Sequence, residues 1–192
     1  SYFRSISRCA SAFMHSAYRP PTGWLAGGGR SPVTRLLHMR VTTEIPVRWS
    51  DIDAYGHINN VSALEISQEA RVGFFRRVHE DGGVLPWHDH RAGVTDLVYV
   101  VHQEFEYVRS MPDPLGSALV DVWITRIDPA GLELAYEIYG PEHDRPYTIV
   151  ANTVAVVDAE TGRPRRLTER ERETASQYLD EPLRFRHRER GA

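Results

Sequence analysis

The chain contains no lysine and a single cysteine, and each shortage excludes a class of chemistry. Without lysine, the protein cannot form a Schiff base with a carbonyl substrate or bind phosphates through a P-loop lysine. Cys9 precedes all regularly patterned sequence, so disulfide frameworks, paired-cysteine metal sites and a Cys–His nucleophile are excluded from the folded body. No apolar run reaches the length of about 18 residues that a transmembrane helix needs, so no membrane partner is predicted.

Acidic residues are absent from residues 1–39, which contain five arginines and are rich in serine, glycine and proline. This composition is typical of a mitochondrial transit peptide. The alternative is sequence translated ahead of a true start at Met39. In either case we expect the segment to be poorly ordered and to lie outside the folded domain, residues 40–180. The predicted location is the cytoplasm, or the mitochondrion if the segment is a genuine transit peptide.

The remaining chain carries 18 basic and 26 acidic residues, which is a net charge of −8. An acidic body argues against nucleic acid as a partner, because sequence-independent binding depends on a basic surface. A polyanionic ligand would need local arginine contacts, since the overall field repels it.

Periodicity predicts one strand, a long helix, four further strands and a short helix. The first strand alternates from Val41 to Trp49, and the long helix runs from about Asn60 to Val78. Its apolar residues are spread around more than one face, which predicts a helix wrapped by other elements. The four strands are predicted at residues 94–108, 118–127, 132–140 and 147–158, with turn residues between them.

The short helix is predicted to begin at Thr168, because Thr168 and Glu171 have the spacing of a capping box. It fades near Tyr178, and residues 181–192 are predicted to be a loose tail. A long helix packed on an antiparallel sheet is an α+β architecture.

The densest group of chemically useful side chains lies at residues 48–60, between the first strand and the long helix. Two carboxylates, a histidine and two asparagines occur there, ahead of a helix N-terminus whose free N–H groups could stabilise an oxyanion. A nearby carboxylate could act as nucleophile or general base. The alternative interpretation is structural: Asp and Asn are common helix caps, and Gly56 could serve only the turn.

This segment resembles the signature of the 4-hydroxybenzoyl-CoA thioesterase family of hotdog proteins. The resemblance rests on the pattern Arg48-x-x-Asp51-x-Asp53-x-x-Gly56-His57-x-Asn59-Asn60, followed by Glu69-Ala70-Arg71, and extends over residues 41–180. It implies a hotdog fold, in which an antiparallel sheet of about five strands wraps a long central helix. It also implies an acyl-CoA thioesterase.

By the same resemblance, Asp53 is the expected catalytic carboxylate, and backbone N–H groups from His57 to Asn60 would polarise the thioester carbonyl. Some relatives use a carboxylate on the long helix instead, for which Glu65 and Glu69 are candidates, and Glu69 could equally be structural. The predicted catalytic residues are Asp53, Glu69, His57 and Asn60. The predicted substrate-binding residues are Tyr55, Gly56, Ile58, Asn59 and Arg109, the last through a phosphate of coenzyme A or as a solvated charge.

Asp51 is predicted to support the loop by accepting backbone N–H groups. Where many relatives have a tyrosine after the paired asparagines, this chain has Val61, so no aromatic-acyl specificity is carried over. His88, Asp89 and His90 are predicted to lie in a solvent-facing or lid-like loop, and His102 to be a strand residue without a catalytic role. No metal or cofactor is expected, coenzyme A being part of the substrate.

The resemblance further implies a homodimer or a dimer of dimers, with active sites between protomers. Two alternatives remain open at this point. The chain could hydrolyse acyl groups from acyl carrier protein, although its acidic body does not favour an acidic carrier. It could also bind or sense acyl-CoA without catalysis, although residues 1–39 do not read as an output module.

Overall fold

The computed structural model describes residues 39–86, 96–114 and 116–186. The predictions for residues 1–38 and for the His88–His90 loop lie outside these ranges. Five strands and two helices follow one another in the predicted order. They are β1 (Val41–Pro46), α1 (Asn60–Glu80), β2 (Asp96–Tyr107), β3 (Ser117–Asp128), β4 (Gly131–Tyr139), β5 (Thr148–Asp158) and α2 (Glu169–Gln177), with a 3-10 turn at Trp49–Asp51.

All five strands form one antiparallel sheet in the order β1-β3-β4-β5-β2. Pro46, which cannot donate to a ladder, is the last residue of the edge strand β1, as its chemistry requires. The tight β3–β4 turn ends at Gly131, where an added Cβ would lie 2.2 Å from the carbonyl oxygen of Val154. Only glycine allows the two backbones to approach this closely.

Helix α1 packs its apolar side against β1 and β3. Phe74, Phe75 and Val78 are fully buried at its C-terminal end. The prediction of a long helix packed in the antiparallel sheet is thus confirmed. Val61 and Leu64 near its N-terminal end are 58% and 40% exposed among the described residues.

The C-terminal part of the chain is attached more firmly than predicted. Thr168 and Glu171 form the expected capping box, each side chain accepting a hydrogen bond from the other's backbone N–H. Phe185 is buried against Ile149 and Ala151, and the backbone N–H of Arg186 donates to Glu106 at 2.7 Å. Phe185 and the N–H of Arg186 thus attach this part of the predicted loose tail to the sheet, although residues 181, 182, 184 and 186 are themselves exposed.

A buried ion-pair cluster fastens the same region to the sheet. The guanidinium of Arg165 binds both carboxylate oxygens of Asp96 at 2.5 and 2.8 Å and both of Glu171 at 2.7 and 3.0 Å. Bidentate pairs of this kind are stronger than single contacts. Arg165 thus joins the start of β2 to the start of α2.

No helix within the described ranges is long and apolar enough to cross a membrane.

Candidate active site

The loop before α1 is organised around the carboxylate of Asp53. Its Oδ1 atom accepts the backbone N–H of Tyr55 at 2.8 Å and that of His57 at 3.1 Å. The backbone N–H of Asp53 in turn donates to the carbonyl of His57 at 2.8 Å. Gly56 has φ +76°, a conformation that glycine adopts without strain, and closes the turn. Oδ2 of Asp53 has no hydrogen-bond partner among the described residues, so one oxygen builds the loop and the other is available for chemistry.

Two further residues of the motif have structural duties. Asp51 accepts the backbone N–H of Arg48 at 2.7 Å, as predicted for a loop support. Asn59 is the N-cap of α1, and its side-chain oxygen accepts the backbone N–H of Val61 at 2.8 Å. The loop therefore enters the helix in one fixed orientation.

Most of the backbone donors predicted for the thioester carbonyl are already engaged. The N–H of His57 donates to Asp53, that of Ile58 to the carbonyl of Met111, and that of Asn59 to the carbonyl of Asp51. The N–H of Asn60, the first residue of α1, has no acceptor within the described part of the chain. Of the N–H groups predicted to bind the thioester carbonyl, that of Asn60 is therefore the one still available among the described residues. It lies at the positive end of the helix dipole.

A cavity of about 490 Å³, here called the Asp53 cavity, is lined in part by Asn60. Six of the nine predicted site residues line it, namely Asp53, Tyr55, His57, Ile58, Asn60 and Arg109. Gly56 and Asn59 do not line it and act on the loop and the helix cap. The cavity wall is completed by Ala63, Ile66, Tyr107, Ser110, Met111, Ile138 and Thr148.

Arg109 is held against the cavity by the segment that connects β4 to β5. Its guanidinium carbon lies 3.6 Å from the ring centre of Tyr147, and its Nη2 donates to Asp144 at 3.2 Å and to the carbonyl of Arg145. The Arg145 backbone N–H, followed by the positive charge of Arg109, lowers the pKa of Asp144 below its ordinary value. The Nε atom of Arg109 is buried without a partner among the described residues, so its donor capacity is not exhausted.

The structure does not bring Glu69 to the Asp53 cavity. Glu69 is exposed and lines a second cavity of about 300 Å³, together with Arg48, Asp51 and Glu65. Ile66 lies between the two cavities and contributes to both. Spacing along a helix places residues on a face but does not show which loop that face meets, so the sequence could not separate Glu69 from Asp53.

Several cavity residues were not predicted. Tyr107, Met111, Ile138 and Thr148 come from three separate parts of the chain, and only the pairing of β2, β4 and β5 brings them together. Tyr107 ends β2 and lies beside the helix, its hydroxyl 3.4 Å from the carbonyl of Asn60. Burial raises the pKa of this phenol. One indirect signal for Tyr107 was present in the sequence, since it precedes Arg109 by two positions at a strand end.

Across the described ranges, no three His, Cys, Asp or Glu side chains come together in a way that could hold a metal ion.

Comparison with known proteins assigns the arrangement to a family. The family model described as the thioesterase-like superfamily matches residues 47–176. The fold is similar to that of a predicted thioesterase from Bacillus stearothermophilus, with 23% identity, a TM-score of 0.61, and coverage of 76% of this chain and 100% of the other. It is also similar to a 1,4-dihydroxy-2-naphthoyl-CoA thioesterase from Synechocystis, with 16% identity, a TM-score of 0.57, and coverage of 72% and 96%.

A third similar structure is a DHNA-CoA thioesterase from Staphylococcus aureus, with 18% identity, a TM-score of 0.54, and coverage of 72% and 88%. No curated protein matches the chain by sequence. The predicted α+β hotdog fold is confirmed by the family and by the architecture that these structures share with the chain.

Proposed function

The chain belongs to the thioesterase-like superfamily, and from that premise we propose that it hydrolyses acyl-CoA to a free acid and coenzyme A. The observation that carries the proposal is the divided role of Asp53. One carboxylate oxygen holds the loop, while the other has no hydrogen-bond partner among the described residues. Asp53 lines the same cavity as Asn60, the first residue of α1. A carboxylate and a helix N-terminus on one cavity are the groups that acyl transfer to water needs.

Two mechanisms are proposed, in which Asp53 acts either as a general base or as a nucleophile. In the first, Asp53 takes a proton from water, and the resulting hydroxide adds to the thioester carbonyl carbon. The tetrahedral oxyanion accepts a hydrogen bond from the N–H of Asn60. When the oxyanion collapses, the C–S bond breaks, and the leaving thiolate receives the proton that Asp53 holds.

In the second route, Asp53 itself attacks the carbonyl carbon and expels the thiolate, which forms a mixed anhydride. Water then adds to the acyl carbon of the anhydride, which releases the free acid and restores the carboxylate, and the proton that this step sets free is taken up by the thiolate. Both routes place negative charge on the same carbonyl oxygen, so both use the amide of Asn60. His57 is proposed to orient the attacking water or the leaving sulfur.

Arg109 is proposed to bind the coenzyme A part of the substrate. Its guanidinium is already oriented by Tyr147 and Asp144, which lowers the entropy lost when it binds an anion. The acidic body of the protein makes such a local positive group important for a polyanionic substrate.

We also propose a homodimer, or a dimer of dimers, in which β2 meets its copy. Within the described part of the chain, β2 pairs with β5 on one side only. Tyr99 and Val101 on β2 are 52% and 61% exposed, and Val61 and Leu64 on α1 are also exposed. An edge strand with exposed apolar side chains favours pairing with a second chain.

The test is release of free thiol from acyl-CoA substrates with short, medium, long and aromatic acyl groups, measured beside the same acyl groups on acyl carrier protein. Turnover of acyl-CoA supports the proposal. Turnover of acyl carrier protein thioesters alone would show that these, and not acyl-CoA, are the substrate. Binding of acyl-CoA without turnover of either substrate would favour a sensor and contradict the enzymatic proposal.

A further inference from the structure

One wall of the Asp53 cavity is a ladder of three residues on α1. Asn60, Ala63 and Ile66 are spaced three apart, so they lie above one another on the same side of the helix. Asn60 is exposed at the helix start, whereas Ala63 and Ile66 are each only 4% exposed. The ladder therefore leads from the polar, open end of the cavity to a buried, apolar part.

Apolar side chains from other parts of the chain line the same cavity. Ile138 on β4 is 1% exposed and Met111 is 6% exposed. Together with Ile66 they supply the buried hydrocarbon lining of the cavity, and the charged lining residues Asp53 and Arg109 belong to other segments of the wall. Burying a carboxylate against such a lining would be unfavourable, whereas burying methylene groups is favourable.

The proposed function determines which part of the substrate occupies this region, and the present inference depends on it. If the thioester carbonyl accepts a hydrogen bond from the N–H of Asn60, the coenzyme A part of the bound substrate extends toward the open rim of the cavity. The acyl group must then extend along the ladder past Ala63 toward Ile66. An uncharged hydrocarbon acyl chain fits that lining.

We infer that Ala63 and Ile66 determine the acyl-chain length that the protein accepts. Ala63 presents a single methyl group halfway along the wall, so the passage is wide where the acyl chain enters. A larger side chain at residue 63 would narrow the passage halfway along the wall, which only the longer acyl chains reach. A smaller side chain at residue 66 would extend the buried part by the volume removed.

The experiment compares Ala63→Val and Ile66→Val with the wild type over a series of saturated acyl-CoAs of increasing length. Both changes are kept small, because overpacking by larger residues destabilises a well-packed core. Ala175→Val is the matched control: Ala175 is also fully buried, but it lies in α2 and does not line the cavity. The readouts are kcat/KM for each acyl-CoA and the Kd of the corresponding S-alkyl-CoA, which cannot be hydrolysed.

We expect Ala63→Val to lower kcat/KM and affinity for the longest accepted chains by about tenfold or more, as one misplaced methylene in a pocket does. Shorter chains should be affected far less, and Ile66→Val should shift both profiles toward longer chains. Equal changes at every chain length, or a profile identical to that of Ala175→Val, would overturn the inference.

The second readout separates the two proposals. A length-dependent shift in S-alkyl-CoA affinity, without hydrolysis by the wild type, would support the acyl path and contradict the enzymatic function. Hydrolysis by the wild type with unshifted profiles in the variants would support the function and contradict the acyl path. Absence of both hydrolysis and binding would contradict both.

Discussion

Asp53 and His57 are joined by two hydrogen bonds that run in opposite directions. The N–H of Asp53 donates to the His57 carbonyl at 2.8 Å, and the N–H of His57 donates to Oδ1 of Asp53 at 3.1 Å. This pair closes the loop ahead of α1 and fixes the rotation of the carboxylate. Oδ1 is occupied and Oδ2 has no partner among the described residues, so the proposed mechanism assigns proton transfer or attack on the carbonyl to Oδ2. We therefore expect Asp53→Asn to keep the loop folded, since its side-chain oxygen can still accept the N–H groups of Tyr55 and His57.

Glu69→Gln tests whether the catalytic carboxylate lies on α1 or in the loop that contains Asp53. It is exposed and does not line the Asp53 cavity. We expect Glu69→Gln to lower kcat by less than about tenfold, since the change removes no group from that cavity. Glu65→Gln, one turn earlier and also exposed, serves as the matched control. A loss in Glu69→Gln as large as that in an Asp53 variant, with Glu65→Gln unaffected, would place the working carboxylate on α1.

The stacking of Arg109 on Tyr147 predicts a selective effect on substrate affinity. Tyr147→Leu removes the aromatic ring beneath the guanidinium, whose interaction is worth about 0.5–2 kcal/mol, so KM for acyl-CoA should rise about 2- to 30-fold. Tyr147→Phe retains the ring and should stay near the wild type. The measurement compares acyl-CoA with the same acyl group on N-acetylcysteamine, which has no phosphate. An equal rise in KM for both substrates would argue against a role of Arg109 toward the coenzyme A part.

The Arg165 cluster predicts how stability changes with pH. Burial alone would raise the pKa of Glu171, but hydrogen bonds from Arg165 and from the backbone N–H of Thr168 lower it below its ordinary value. The folded state therefore binds protons more weakly here than the unfolded state, and the stabilisation is present above about pH 4.3 and lost at lower pH. Glu171→Gln should lower the free energy of unfolding by about 1–3 kcal/mol at neutral pH. Urea titrations of both proteins should converge in acid, and a difference that does not depend on pH would contradict this account.

The exposed edge of β2 predicts the oligomeric state. Val101→Glu places a charge on an edge strand, and in a symmetric pairing two such charges would lie close together and repel. Light scattering after gel filtration should give a dimer or tetramer for the wild type and a smaller species for the variant. A wild-type monomer, or an unchanged assembly in a folded Val101→Glu variant, would contradict pairing through β2.

The sequence predicted the elements of the fold well because each has a strong local signal. The alternation in β4 and the capping box of Thr168 and Glu171 depend only on neighbouring residues, and both occur where expected. Asp53 was distinguished from Asp51 only through the resemblance to a family. Chemically the two residues are identical, and the structure separates them because Asp53 lines the cavity while Asp51 supports the loop.

What the sequence did not reveal depends on contacts between distant parts of the chain. Strand pairing brings Met111 and Ile138 to the cavity, and Phe185 is buried because it packs on β5. The engagement of the Ile58 amide was hidden for the same reason, since its acceptor, the Met111 carbonyl, lies far along the chain. Local patterns cannot show such partners.

The most direct test of the account compares two variants that carry the same chemical change. Asp53→Asn and Asp51→Asn each replace a carboxylate by an amide and retain an oxygen that can accept the backbone N–H groups bound there. Thiol release from the best acyl-CoA substrate is measured for both, with circular dichroism to verify folding. We expect kcat to fall at least about 100-fold in Asp53→Asn, as when a general base is removed. Asp51→Asn should lose far less. Equal activity in the two folded variants would contradict the assignment of Asp53 as the catalytic carboxylate.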